Sequence, residues 1–277
     1  MQEYATKEND LGRLSIYYDE HAESTRTTWD NLCTMTCSHR SYNLGDEQAK
    51  NTEDYSNWEE WLEHEILEPA GGKTNVVFLP LYLYDHSDLS ISTGSFDCRW
   101  DSGQVGWIYA TKDTFRKETG YTENELFAKD KHRVPLIGEG IKVKGYEDKG
   151  FGKVIAFLDN LLVVDFDYNR HKECEKPKMI ITLDRIAEVR SNKAEEMMRN
   201  EVEIYNEYLQ GNVFGFILEE KIYRTPCDPY PSCDLCDQCP EYDLIEKDSC
   251  WGFYGNDFKT NGMLEYLPKE YESLLGV

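Results

Sequence analysis

Four cysteines near the end of the chain carry the clearest chemistry. Cys227, Cys233, Cys236 and Cys239 follow one another with x5, x2 and x2 spacing, among Pro226, Pro229, Pro231 and Pro240. Four thiolates can close a tetrahedral zinc site and leave no position open for a substrate, so such a zinc would be structural. The spacing differs from two CxxC knuckles separated by a loop, and one tight segment would have to supply every ligand. The alternative is a solvent-facing hairpin over 226–240 whose thiols bind nothing. Cys33 and Cys37 form a further pair able to join a metal.

A second cluster, Tyr84-Asp85-His86-Ser87, holds a hydroxyl, an imidazole and a carboxylate. Triad members are brought together by the fold, and neighbours on one turn rarely face each other. No Gly-x-Ser-x-Gly elbow presents a nucleophile. Asp85 and Ser87 are therefore expected to cap the turn, with His86 satisfied locally.

The third cluster is Arg99-Trp100-Asp101-Ser102-Gly103-Gln104-Val105-Gly106-Trp107. Its glycines form neither a phosphate loop nor a dinucleotide fingerprint. Trp100 and Trp107 with Arg99 could form a hot-spot patch for a protein partner. Core packing around a tight turn is the competing reading. The candidate partner-binding set is Tyr84, Asp85, His86, Arg99, Trp100, Asp101 and Trp107. No complete enzyme site is legible.

Several elements must position these residues. Residues 1–10 read as a frayed start, and Leu14 to Tyr18 as a short strand. Trp58, Trp61, Leu62 and Ile66 recur at helical spacing, and Pro69 with Gly71-Gly72 supplies the stop. Val76 to Tyr84 is apolar, β-branched and aromatic, hence a buried strand, with Pro80 suited to an edge or bulge. Strands are expected over 89–93 and at the end of 96–109, then a short helix from Lys112 to Thr119. A helix from Ala194 to Leu209, stopped by Gly211, leads to a strand over 213–218. Its hairpin partners are Tyr242 to Glu246 and Ser249 to Gly255.

Between 136 and 190 the pattern changes to five short strands with tight turns, which is that of a small barrel. The order Gly140-Ile-Lys-Val, Gly152-Lys-Val-Ile, Leu162-Val-Val-Asp-Phe and Ile181-Thr-Leu-Asp-Arg-Ile resembles the SH3-like barrels of the KOW and Tudor kind. This segment holds 10 Lys+Arg and 10 Asp+Glu, leaving 20 basic against 43 acidic residues elsewhere. A neutral module inserted in an acidic host accounts for the contrast. The expected class is α+β, with a mainly antiparallel sheet, a few helices and an inserted SH3-like barrel. The host would occupy 1–135 and 191–277.

The whole chain carries a formal charge of −23. Such a surface repels a phosphate backbone and suits a partner with a basic surface, or serves only solubility. Aromatics at 13% argue against a disordered acidic tail. Nine cysteines without a secretory leader point to a reducing compartment, and no run of apolar residues is long enough to span a membrane.

Three blocks, Leu81 to Ser87, Trp100 to Tyr109 and Asp248 to Gly255, resemble a family of uncharacterised bacteriophage-encoded proteins. The passage Glu201 to Phe216 is a fourth. The resemblance supplies no catalytic residues. It implies a phage product acting in the host bacterial cytoplasm. By analogy with phage proteins of this size and acidity, such as the anti-Gabija proteins, the expected role is an inhibitor that binds a bacterial defence or nuclease–helicase complex. Self-association is compatible with it; direct nucleic-acid or membrane binding is not expected. The rival readings are a metal-dependent nuclease or hydrolase, and a nucleic-acid-associated module using the barrel.

Overall fold

The computed structural model describes residues 1–86, 88–96, 98, 100–127, 135, 140–146, 152–158, 161–165, 179–189, 192–223 and 242–275. In chain order the strands are β1 (Glu3–Glu8), β2 (Gly12–Tyr18), β3 (Thr34–Cys37), β4 (Glu47–Gln48), β5 (Val76–Asp85), β6 (Leu89–Ser92) and β7 (Ser102–Thr111). They continue as β8 (Gly140–Val143), β9 (Gly152–Leu158), β10 (Leu161–Asp165), β11 (Met179–Thr182), β12 (Ile186–Val189), β13 (Val213–Tyr223) and β14 (Tyr242–Tyr254). The helices are α1 (Thr25–Thr28), α2 (Trp58–Leu62), α3 (Lys112–Thr119), α4 (Glu123–Phe127), α5 (Lys193–Leu209) and α6 (Met263–Tyr266). The class is α+β with mainly antiparallel sheets, as expected. The chain folds as two compact units: residues 1–29, 87–90 and 204–277, and residues 30–86 with 91–203.

In the first unit both ends of the chain share one antiparallel sheet, ordered β1-β2-β13-β14. Residues 1–10 do not fray. Tyr4 packs its ring edge-on to Tyr18, Phe214 and Phe258, and Thr6 bonds Ser15 at 3.1 Å. This strand carries little apolar periodicity of its own, and a tertiary partner holds it in place. The turn into β2 is closed by Asn9, whose Oδ1 accepts from the N–H groups of Leu11 and Gly12. Leu14, Ile16, Phe214, Phe216, Leu218 and Phe253 form the buried face, under Met263, Leu267 and Tyr271. The two expected partners of β13 are one long strand, β14, with register shifts at Phe214/Gly215 and Leu218/Glu219. Trp251 lies over Gly215, where a Cβ would stand 2.0 Å from the indole.

In the second unit one sheet has the order β4-β3-β7-β5. β7 pairs antiparallel with both β3 and β5, and the short β3–β4 pairing is parallel. Pro80 precedes the register shift between Leu81 and Tyr82, in keeping with its need for a bulge. Against this sheet pack Trp61, Leu62 and Leu67 with Val76 and Trp107. Asn57 caps α2 by accepting from Glu60 N–H at 2.9 Å. The expected single helix changes character at Glu63, where Glu63–Leu67 is a π-helical turn. Gly72, at φ 107°, sends its N–H to the Leu67 carbonyl and ends the run.

The strands expected over 136–190 are β8 to β12, all within the second unit. They pair antiparallel in the order β11-β10-β9-β8-β12, a meander whose last strand returns beside the first. Ile141, Val143, Val154, Leu162, Val164, Ile181 and Ile186 form their core. Among the described residues no β11–β12 pairing closes the sheet into a barrel. The expected host is itself divided: residues 1–29 fold with 204–277, and residues 30–86 belong to the other unit.

Two outcomes test these contacts. A Cβ at Gly106 would stand 1.9 Å from the Thr36 carbonyl oxygen. Gly106→Ala is therefore expected to lower stability by about 1–3 kcal/mol in urea unfolding, the usual cost of overpacking. Tyr55 donates its hydroxyl to Glu65 at 2.6 Å, and this bond pushes the phenol pKa from its ordinary 10 up to about 12. A raised folded-state pKa means the stabilisation is complete below about pH 10 and is lost as pH rises towards 12. The Tyr55 ring resonances in an NMR titration should move at this high pH, and Glu65→Gln should bring the midpoint back down.

Candidate functional site

The site lies where three backbone segments of the second unit end together. Strand β5 ends at Leu83 to Asp85, and β7 begins at Ser102 to Val105. The stretch Ser38-His39-Arg40 leaves β3 beside them. The ladders run past the strand ends: Ser38 N–H donates to the Val105 carbonyl at 2.7 Å, and Asp85 N–H to the Asp101 carbonyl at 2.8 Å. These bonds align residues far apart in sequence around a cleft of about 470 Å³, lined by His39, Arg40, Asp85, Trp100, Asp101 and Gln104 among others.

Each wall has a supporting network. Asp85 Oδ1 accepts from the Tyr42 hydroxyl at 3.3 Å, and the turn it is expected to cap includes Ser87, outside the described residues. Tyr42 in turn stacks on His39, with centroids 4.9 Å apart and planes 10° from parallel. Ser41 N–H donates to His39 Nδ1 at 3.3 Å, which leaves Nε2 to carry the proton in the neutral ring. On the other wall Asp101 Oδ2 lies 3.5 Å from His86 Nδ1 and 3.4 Å from Cys98 Sγ. The Ser102 hydroxyl donates to the Cys98 carbonyl. Tyr84 packs between His86 and Phe96, with ring centroids 6.2 and 5.7 Å away.

Two tryptophans that do not line the cleft brace the strand behind it. Trp58 Nε1 donates to the Gln104 carbonyl at 3.1 Å, and Trp107 Nε1 donates to the Trp58 carbonyl at 3.0 Å. The two indoles tie α2 to the start of β7 and satisfy their own N–H groups inside the core. Trp100 is the opposite case, 96% exposed at the mouth of the cleft.

The chemistry this arrangement can do follows from the order of its groups. An activated thiol needs an imidazole beside the sulfur. Here the Asp101 carboxylate stands between Cys98 and His86, so no imidazole lies directly on the sulfur among the described residues. Two aspartates, two histidines and Arg40 around an exposed indole suit recognition of a polar or charged side chain. Among the described residues no group of three or more His, Cys, Asp or Glu is placed to hold a metal ion.

Of the sequence-derived set, the fold brings Tyr84, Asp85, His86, Trp100 and Asp101 to one end of the sheet. Arg99 and Ser87 lie outside the described residues, as do Cys227, Cys233, Cys236 and Cys239. Trp107 does not belong to the surface: it is 6% exposed, pointing into the cluster formed by Trp61, Leu62 and Leu67. Cys33 and Cys37 are buried around β3. Ser38, Arg40 and Tyr42 carry no local motif and come to the site through the β3–β7 pairing; Gln104 lies in the Arg99 to Trp107 stretch already singled out.

The chain matches no protein-family model, no curated protein and no solved structure. No helix among the described residues is long and apolar enough to cross a membrane. The two tryptophans should separate cleanly in unfolding experiments. Trp107→Ala is expected to cost about 3–5 kcal/mol as a core truncation. Trp100→Ala should stay within roughly 0.5 kcal/mol, as a surface change does.

Proposed function

We propose that this chain is a bacteriophage-encoded binding protein that inhibits a bacterial anti-phage defence or nucleic-acid-processing complex by protein–protein contact, in the cytoplasm of the host. The observation that carries the binding reading is Trp100, 96% exposed beside Asp85 and Asp101 at a cleft mouth. A solvated indole next to a pocket is the side chain that most often anchors a protein partner, because covering it removes a large apolar area from water.

Charge selects the partner's chemistry. At −23 the chain attracts a basic surface and repels nucleic-acid phosphates. A lysine or arginine of the partner can pair with Asp85 and Asp101 while its cation lies on the Trp100 ring. Leu83 and Asp85 of one block that resembles the phage family, and Trp100 to Val105 of another, line the cleft. This coincidence supports reading the resemblance and the site together.

The test uses tagged wild-type protein and the Trp100→Ala and Asp101→Asn variants against lysates of bacteria carrying defined defence systems. Wild type should retain a nuclease or helicase subunit in stoichiometric amount and restore phage plating on that host. Each variant should retain roughly tenfold less or lower, the loss expected when an anchor residue is truncated. Retention of no such subunit, or equal retention by the variants, removes this reading.

A further inference from the structure

The second sheet of the larger unit has an apolar side that faces away from its own core. Strand alternation sends Leu162, Val164 and Ile181 inward. Leu161 of β10 therefore faces outward, with Leu158 of β9 and Thr182 of β11 beside it, while Val163, opposite Ala156 and Ile180 on the same side, is itself buried at 9% exposure. These six neighbours carry no charge, and Asp165 lies at the rim. Ile180 is 57% exposed and Leu158 51%, with Leu161 and Leu183 exposed alongside. A solvated face of an antiparallel sheet is normally polar, so a contiguous apolar strip marks an interaction surface.

We propose that a second copy of this chain docks on this face, the two strips packing sheet to sheet about a two-fold axis. Charge argues for this occupant. The segment 136–190 carries 10 basic and 10 acidic residues, and the remaining residues carry the entire −23. Two copies repel through the acidic surface and meet without penalty through the neutral one. A basic partner is drawn to the acidic surface instead, so this face is separate from the cleft and from its proposed target. An isologous contact also needs only one self-complementary patch, with Ile180 and Leu158 of each copy filling gaps in the other. The strip is three strands wide, about 10 Å at the usual strand spacing, which puts the interface at the low end of specific contacts. Association is accordingly concentration-dependent.

The test is sedimentation equilibrium of the full chain from about 1 µM to about 1 mM, the range over which contacts of modest affinity assemble. Wild type should pass from monomer to dimer within it. Ile180→Glu and Leu158→Glu should each weaken the dimer more than tenfold while the far-UV circular dichroism stays that of wild type. Should either charged variant misfold, Ile180→Thr keeps a strand-forming residue and should weaken the dimer in the same direction. Trp100→Ala should leave dimerisation unchanged, separating this face from the cleft. A monomer at every concentration overturns the proposal, and so does a dimer indifferent to changes at Ile180 and Leu158.

Discussion

Across β3 and β7 the backbones approach so closely at Gly106 that a single added carbon would meet the Thr36 carbonyl. β7 is also the strand that pairs with β5 on its other side, through Leu81↔Gly106 and the bulge that follows. The cleft inherits its form from this double pairing. Ser38 reaches Val105 because β3 lies tight on β7, and Asp85 reaches Asp101 because β5 does. A backbone contact therefore decides which side chains share a wall, and the indole hydrogen bonds of Trp58 and Trp107 tie α2 to the same strand.

The tryptophans divide by whether their N–H finds a carbonyl. Trp58, Trp61 and Trp107 each donate to a backbone oxygen, at Gln104, Lys50 and Trp58 respectively, and so can leave water without stranding a donor. Burial of large rings then binds the short helix α2 and its π-helical turn to the sheet. Trp100 has the same side chain and stands in solvent. A ring of that size left uncovered is a liability for a folded chain unless something comes to cover it.

Charge is spread unevenly along the sequence, and the described ion pairs show how the basic minority is used. Arg13 pairs with Glu219 at 2.7 Å, and Lys221 with Glu8 at 2.6 Å beneath the Tyr242 ring. The Glu8 carboxyl is held below its usual range and the Lys221 ammonium above, each chiefly through the hydrogen bond to the other. Both pairs stitch the first two strands to β13, where the two ends of the chain meet in one sheet. The aromatic packing of Tyr4 on Phe214 joins the same strands beside these pairs.

Local signals in the sequence determined the existence of most elements. The apolar run from Val76, the helical spacing from Ala194 to its stop at Gly211 (φ 72°), and the meander of strands between 140 and 189 depend on periodicity and turn chemistry, which neighbours in the chain impose. Sequence also singled out Tyr84 to His86 and Trp100 to Asp101 as the stretches worth watching. Only the tertiary structure decided that residues 3–8 form a strand, because Phe214 and Phe258, which pack on Tyr4, are distant in sequence. Only it separated Trp100 from Trp107, two identical side chains seven positions apart, since burial depends on what packs opposite and composition cannot supply that. The same holds for His39, Arg40 and Tyr42. They join the site through hydrogen bonds between strands whose register is set by a close approach at one glycine, a contact that local sequence does not encode.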